Sequence, residues 1–326
     1  MIQSQFLPEG CRIGSAQNCE LLASAQGLEA AAQSGAILEA NALLCDREMN
    51  LHVDLGCMQG IIPRSQALWS RDGEPPRDIA IISRVGKPVC FTVESVTRTS
   101  TGQPLAWLSR KAAQRRCAAE FLARLIPGDI IPVRVTHLER FGAFCDVGCG
   151  ICALLPLDCI SVSRISHPSD RLQPGMLLDC AVRAIDKDSG RITLSLRELL
   201  GTWEQNAALF SPGQTAAGII RSVERYGVFV ELTPNLAGLA ELRTEADGNE
   251  KARLEACVGR YTGVYIKSIQ PERMKIKLVL IDAYRGEPAH AGLRYFVDTE
   301  QTRHIDAWRY SPDGAHKVIE TIFESA

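Results

Sequence analysis

A chain that repeats itself at a fixed spacing is built of tandem copies of one unit, and here the spacing is 84 to 85 residues. The stretch from Ile126, IPGDIIPVRVTHLERFGAFCDVG, returns from Ser211 as SPGQTAAGIIRSVERYGVFVELT. Pro127-Gly128 and Phe141-Gly142 recur 85 residues on as Pro212-Gly213 and Tyr226-Gly227. AIDKDSGRITLSL, from Ala184 to Leu196, recurs at an offset of 84 as SIQPERMKIKLVL, from Ser268 to Leu280. A fainter copy lies upstream. HVDLGCMQGIIPR, from His52 to Arg64, matches FCDVGCGICALLP, from Phe144 to Pro156, and PLAWLSRK at Pro104 takes the place of RITLSLRE at Arg191. Met49 and His52 stand where the second copy has Phe141 and Phe144, so the first copy reads as a structural one.

Each copy is patterned as β-structure. Ile131, Val133 and Val135 alternate with Pro132, Arg134 and Thr136, as a half-buried strand requires. Gly148-Cys149-Gly150 turns one hairpin and Asp188-Ser189-Gly190 another, between the runs Leu177 to Ile185 and Ile192 to Leu196. Five short antiparallel strands in about 70 residues suit a small closed barrel of the OB type. The fold expected is mainly β: three tandem five-stranded OB-fold barrels joined by short α-helices.

The connectors lack breakers and read as helices. Lys111 to Leu125 is rich in Ala, Arg and Leu, and Leu199, Leu200, Trp203, Ala207 and Phe210 give the second connector one apolar face. Asn18 to Gln33 is expected to be another helix. The resulting division is an N-terminal helical extension (1–33), a degenerate module (34–112), a connector (113–126), a second module (127–198), a connector (199–211), a third module (212–283) and an aromatic-rich C-terminal extension (284–326). Within that extension, the run from Gly292 to Pro312 is expected to form two strands carrying Tyr295, Phe296, Trp308 and Tyr310.

Composition narrows the function. With Lys+Arg 36 against Asp+Glu 38, the net charge of −2 excludes a polybasic protein that coats nucleic acid by charge alone. The start lacks the basic and apolar regions of a secretory signal, and no run reaches the ~20 apolar residues of a membrane span. The 12 cysteines are therefore expected to be reduced thiols of a cytoplasmic protein. Cys145, Cys149, Cys152 and Cys159 crowd one hairpin, but the third copy has Val230, Pro234, Ala237 and Arg243 there, which argues against a structural metal. No phosphate loop, HExxH or Gly-x-Ser-x-Gly is present, so neither catalysis nor a cofactor is expected.

The recurring string E-R-[FY]-G-x-F is where chemistry concentrates. Phe141 and Phe144 are three apart, so strict alternation would send them to opposite faces; a bulge at Gly142, and at Gly227 for Tyr226 and Phe229, would bring each pair to one outer face. Two exposed rings on a sheet make a platform for unstacked bases. Arg140 and Arg225 beside them, with Arg191 and Lys275 on a later strand, would meet phosphates. A large aromatic is more often a core residue, but recurrence of the whole constellation favours the outer face.

These residues resemble the S-one RNA-binding domain, an OB-fold module named after the largest protein of the small ribosomal subunit. The matching segments are PGD at Pro127, ERFGAFCDVG at Glu139, RISHPSD at Arg164 and IDKDSGRITLSL at Ile185. The resemblance spans about Ser34 to Asp282 as three modules, a layout similar to a short Gram-positive-type relative of that ribosomal protein. It implies an RNA face on Phe141, Phe144, Asp186 and Arg191 in the second module and on Tyr226, Phe229 and Lys275 in the third. The family's histidine is replaced by Pro156 and Glu241, and its aspartate by Gln270 in the third module. The function implied is non-catalytic binding of single-stranded RNA, mRNA above all, in translation, by a monomer partnered with the small ribosomal subunit and no membrane. The rival is a protein-interaction scaffold whose barrels have lost RNA, with the C-terminal aromatics as a partner surface or a lid on the last barrel.

Overall fold

A computed structural model of the chain describes residues 5–241, 248–283 and 292–324. Three closed five-stranded barrels carry the repeat. The first is built from β1 (Leu38–Cys45), β2 (Leu51–Asp54), β3 (Gln59–Ile62), β4 (Pro88–Arg98) and β5 (Pro104–Ser109). The second holds β6 (Ile130–Glu139), β7 (Gly142–Gly148), β8 (Ile151–Pro156), β9 (Leu177–Ile185) and β10 (Ile192–Ser195). The third holds β11 (Thr215–Glu224), β12 (Gly227–Thr233), β13 (Leu236–Glu241), β14 (Tyr261–Gln270) and β15 (Lys275–Ala283). In each barrel the first three strands meander, and the fifth closes against the third in parallel, as Gly60 opposite Ala106, Leu154 opposite Thr193 and Leu239 opposite Lys277 record. Inward residues such as Leu51, Val53, Phe91 and Leu108 fill the first barrel, and Val228, Val230, Ile266 and Leu278 fill the third.

Closing so few strands needs sharp local coiling, which β-bulges supply. The first and third barrels are bulged at matching places: Leu43 on β1 and Arg221 on β11 are the extra residues of the first strand. Glu94, Arg183 and Lys267 are the extra residues of the fourth strand in the three barrels.

The helices are shorter than the sequence pattern suggests. Instead of one helix over 18–33 there are two, α1 (Ala16–Leu22) and α2 (Ala25–Ser34). Ser24 between them is extended, with φ −151°, and its hydroxyl accepts a hydrogen bond from Gly27 N at 3.0 Å, so it starts a new helix. A short α3 (Asp78–Ile82) precedes β4, and α4 (Arg110–Glu120) follows β5 directly, capped by Ser109. α5 (Trp203–Ala207) is one turn with a capping box from Thr202 and Gln205, and α6 (Gly248–Glu255) lies between β13 and β14.

The C-terminal segment also departs from expectation. Its two strands are β16 (Ala307–Arg309) and β17 (Glu320–Ile322), while Tyr295 and Phe296 lie in irregular chain. Their polar groups bond elsewhere: the Tyr295 hydroxyl accepts from Asp179 N at 3.0 Å, and Phe296 N donates to Leu199 O at 2.9 Å. Trp308 and Tyr310 are buried in the third barrel's hydrophobic cluster, their ring centroids 5.7 Å apart, so these two rings are a lid rather than a partner surface.

The chain divides into two compact units. One contains the residues up to Leu125 with 132–134 and 146–152; the other contains 126–131, 135–145 and the remainder. Each has a buried charge network. In the first unit Glu9 receives Arg110 through Nε at 2.7 Å and Nη2 at 3.0 Å, and its backbone N donates to Asp146 at 2.7 Å. Burial and the Glu9 charge push the Asp146 carboxyl up to about 7. In the second unit Glu231 accepts from Arg221 Nε at 2.7 Å and is bonded to Arg171. No helix among the described residues is long and apolar enough to cross a membrane.

Candidate nucleic-acid interface

The aromatic pairs sit on the hairpins between first and second strands. Arg225 and Tyr226 are the two turn residues between paired Glu224 and Gly227, and Arg140 and Phe141 occupy the same turn between β6 and β7. A residue at the turn is free of strand alternation, so its ring can lie over the ring three places on. Phe141 and Phe144 meet edge to face with centroids 6.0 Å apart, and Tyr226 and Phe229 repeat this at 6.2 Å. The turn rings are exposed, Phe141 by 57% and Tyr226 by 62%, while Phe144 and Phe229 are half-buried against the sheet.

The bulge expected at Gly227 is not there. Gly227 pairs in register, and the extra residue is Arg221 on the partner strand. The glycine is needed for a different reason, close approach of the next strand: a Cβ on Gly142 would lie 2.4 Å from Leu155 O, and one on Gly227 2.6 Å from Ala240 O. Leu157 N donates to Phe141 O at 2.9 Å and so anchors the turn that carries the exposed ring.

From Phe229 a row runs across the outer face of the third barrel. Phe229 is opposite Leu239, and Leu239 is opposite Lys277. Lys277 lies outside the residues expected from the motif, although the alternation in Lys275-Ile276-Lys277 puts both lysines outward around a buried isoleucine. Its ammonium lies 3.2 Å from Glu241, so the carboxylate standing in place of the family's histidine is neutralised within the face. In the second barrel a groove of about 460 Å³ runs on from Phe141, lined by Ser161, Ser163, Arg164 and Arg197. Arg164, which opens the RISHPSD segment, is exposed.

The other expected residues fall as follows. Arg140, Arg225, Arg191 and Lys275 are exposed. Asp186 is exposed too, but its carboxylate organises its own turn: it accepts from the Ser189 hydroxyl at 2.6 Å and from the backbone N of Asp188 and Ser189. Those bonds, the Ser189 hydroxyl first, hold its pKa below the usual aspartate range. Asp186 thus shapes the β9–β10 tip that carries Arg191. In the first barrel Met49 adopts φ 65° in a wider turn, and His52 is bonded to Asp46 at 3.1 Å and Gln59 at 2.8 Å. Cys145, Cys149 and Cys159 are buried and Cys152 is exposed, and the described residues include no group of three or more His, Cys, Asp or Glu placed to hold a metal.

The comparisons with known proteins fall on this geometry. The model of the S1 RNA binding domain matches residues 124–197, which take in the whole second barrel. The second barrel is thus similar to the S1 RNA binding domain. The chain is 30% identical over 216 residues to small ribosomal subunit protein bS1 of Leuconostoc lactis, an alignment covering 64% of this chain and 49% of that protein. It is 34% identical over 124 residues to the bS1 homolog of Bacillus subtilis, covering 38% and 32%. The chain thus spans about half or less of the length of the curated relatives it matches. A solved multidomain protein with nucleic acid binding domains from Streptococcus pneumoniae aligns with 76% of this chain and 73% of its own at 14% identity, with a TM-score of 0.24.

Proposed function

We propose that this chain binds single-stranded RNA, mRNA in translation, as a non-catalytic ribosomal or ribosome-associated protein. The observation that carries the reading is the recurrence of one aromatic pair, turn ring over strand ring, on the matching hairpin of two barrels. Bases stack on Phe141 and Phe144 in the second barrel and on Tyr226 and Phe229 in the third. Arg140, Arg225, Arg191, Lys275 and Lys277 face the phosphates. With the second and third modules near zero net charge, nonspecific attraction is small and stacking supplies most of the affinity.

The test is a fluorescence-anisotropy titration of the full chain with a labelled single-stranded RNA about a dozen nucleotides long, at low and physiological salt, with matched duplex as control. Binding of the single strand, weakened by salt and poorer for duplex, is expected. Replacing Phe144 and Phe229 together by alanine removes two stacks of about 1–3 kcal/mol each. A loss of roughly thirtyfold or more in affinity, with unchanged far-ultraviolet circular dichroism, is the expected outcome. Unchanged affinity in that double variant rules out this face. No binding by the wild type at low salt makes the barrels a protein-docking scaffold.

A further inference from the structure

The first barrel lacks the aromatic hairpin, yet its outer face is not blank. The row that in the third barrel reads Ser222, Phe229, Leu239, Lys277, Ser268 across successive strands reads Leu44, His52, Ile61, Trp107, Ser95 in the first. The two rows occupy the same register relative to the same two bulges. An aliphatic residue sits at the centre of both, and the ends differ. Where the third barrel has a ring on its second strand and a cation on its fifth, the first has a hydrogen-bonded imidazole on β2 and an indole on β5.

Trp107 points outward because its neighbours Ala106 and Leu108 are fully buried. It is 38% exposed, whereas Trp203 and Trp308 are buried and Trp69 is half-buried. Among the described residues no ring contact or side-chain hydrogen bond engages the indole; its neighbour across the β3–β5 pairing is Ile61, and His52, held by Asp46 and Gln59, is one strand further on.

We infer that the first barrel also takes a nucleobase of single-stranded RNA, stacked on Trp107 rather than on the β1–β2 hairpin. The inference rests on the RNA-binding reading above and extends it to the module that the sequence marks as structural. A row with an aromatic, an aliphatic centre and a second planar ring offers a base a flat apolar seat. Because this row contains no lysine or arginine, the Trp107 contribution is stacking alone and is insensitive to salt, unlike that of a phosphate contact.

The experiment uses the full chain and a single-stranded oligouridine about a dozen nucleotides long. Unlabelled RNA is expected to quench the wild-type tryptophan emission saturably. Trp107→Phe keeps a ring, so it should lose the quenching while its affinity, read by anisotropy, stays within about twofold of wild type. Trp107→Ala should bind about fivefold or more weakly at both low and physiological salt. Thermal melts of both variants confirm folding, and the phenylalanine variant carries the test if the alanine variant melts early. Quenching that persists in Trp107→Phe overturns the proposal. So does unchanged affinity in a folded Trp107→Ala chain while the Phe144→Ala/Phe229→Ala chain weakens, and that result leaves the parent reading intact. Wild type that binds no RNA at low salt overturns both.

Discussion

One register position separates the three barrels more sharply than any other. Two residues beyond the ring position of the second strand, the first barrel has Asp54, the second Asp146 and the third Glu231. Asp54 and Asp146 make the same local bond, accepting from the N of Gly56 and of Gly148 at 2.9 and 2.8 Å. Asp54 stays exposed. Asp146 is covered by the segment around Glu9, and Glu231 is closed in by Arg171 and Arg221, so both are buried. The lesson is that an outward strand position is chemically neutral until something packs on it. The pleat decides which way the acid points; the covering segment decides whether it acts as a solvated surface group or a charge anchor.

The largest way to test that difference is Glu231→Ala against Asp54→Ala. Removing Glu231 leaves two buried guanidinium groups short of a partner and should cost about 3–5 kcal/mol in urea unfolding. The Asp54 change should stay within about 0.5 kcal/mol. Equal costs would mean the buried network is no anchor. Next in size is Gly227→Ala, where the methyl group meets Ala240 O; overpacking of about 1–3 kcal/mol should appear as a lowered melting temperature.

The Asp146 site sharpens the comparison through pH. Its carboxyl is raised from 3.8 to about 7 in the folded chain, by burial first and the Glu9 charge second. Between those values the folded state binds more proton than the unfolded one, so stability falls as pH rises through that window. Glu9, whose burial is outweighed by Arg110 and Arg84, is shifted the other way and loses its contribution only as pH falls below its ordinary range. Asp146→Asn should flatten the decline in urea midpoint between about pH 4 and 7; a slope that persists would assign the titration elsewhere. The smallest effect is expected at the exposed Lys277–Glu241 pair. Lys277→Ala should barely change stability, at about 0–1 kcal/mol, while reducing the salt dependence of RNA affinity by about one ion.

Much of the platform was readable because it is local. The hairpin residues Arg140, Phe141 and Phe144, and their copies Arg225, Tyr226 and Phe229, lie within five residues of one another, so their recurrence announces itself in the string. The mechanism behind the shared face was not readable. A bulge at the glycine and a turn residue released from alternation give the same pattern, and only the pairing of Glu224 with Gly227 separates them. Lys277 and Trp107 were harder still, since each enters the row through a parallel pairing of the third and fifth strands, about 40 residues apart in the chain.

The amino-acid string by itself determined the number of barrels, their hairpins and the residues turned inward, because periodicity and turn chemistry act over a few residues. Only the tertiary structure decided which outward residues share a row, which acids are buried, and that Trp308 and Tyr310 close a core rather than face a partner. Those outcomes depend on barrel closure and on coverage by distant segments, and such long-range contacts leave no periodic trace in the chain.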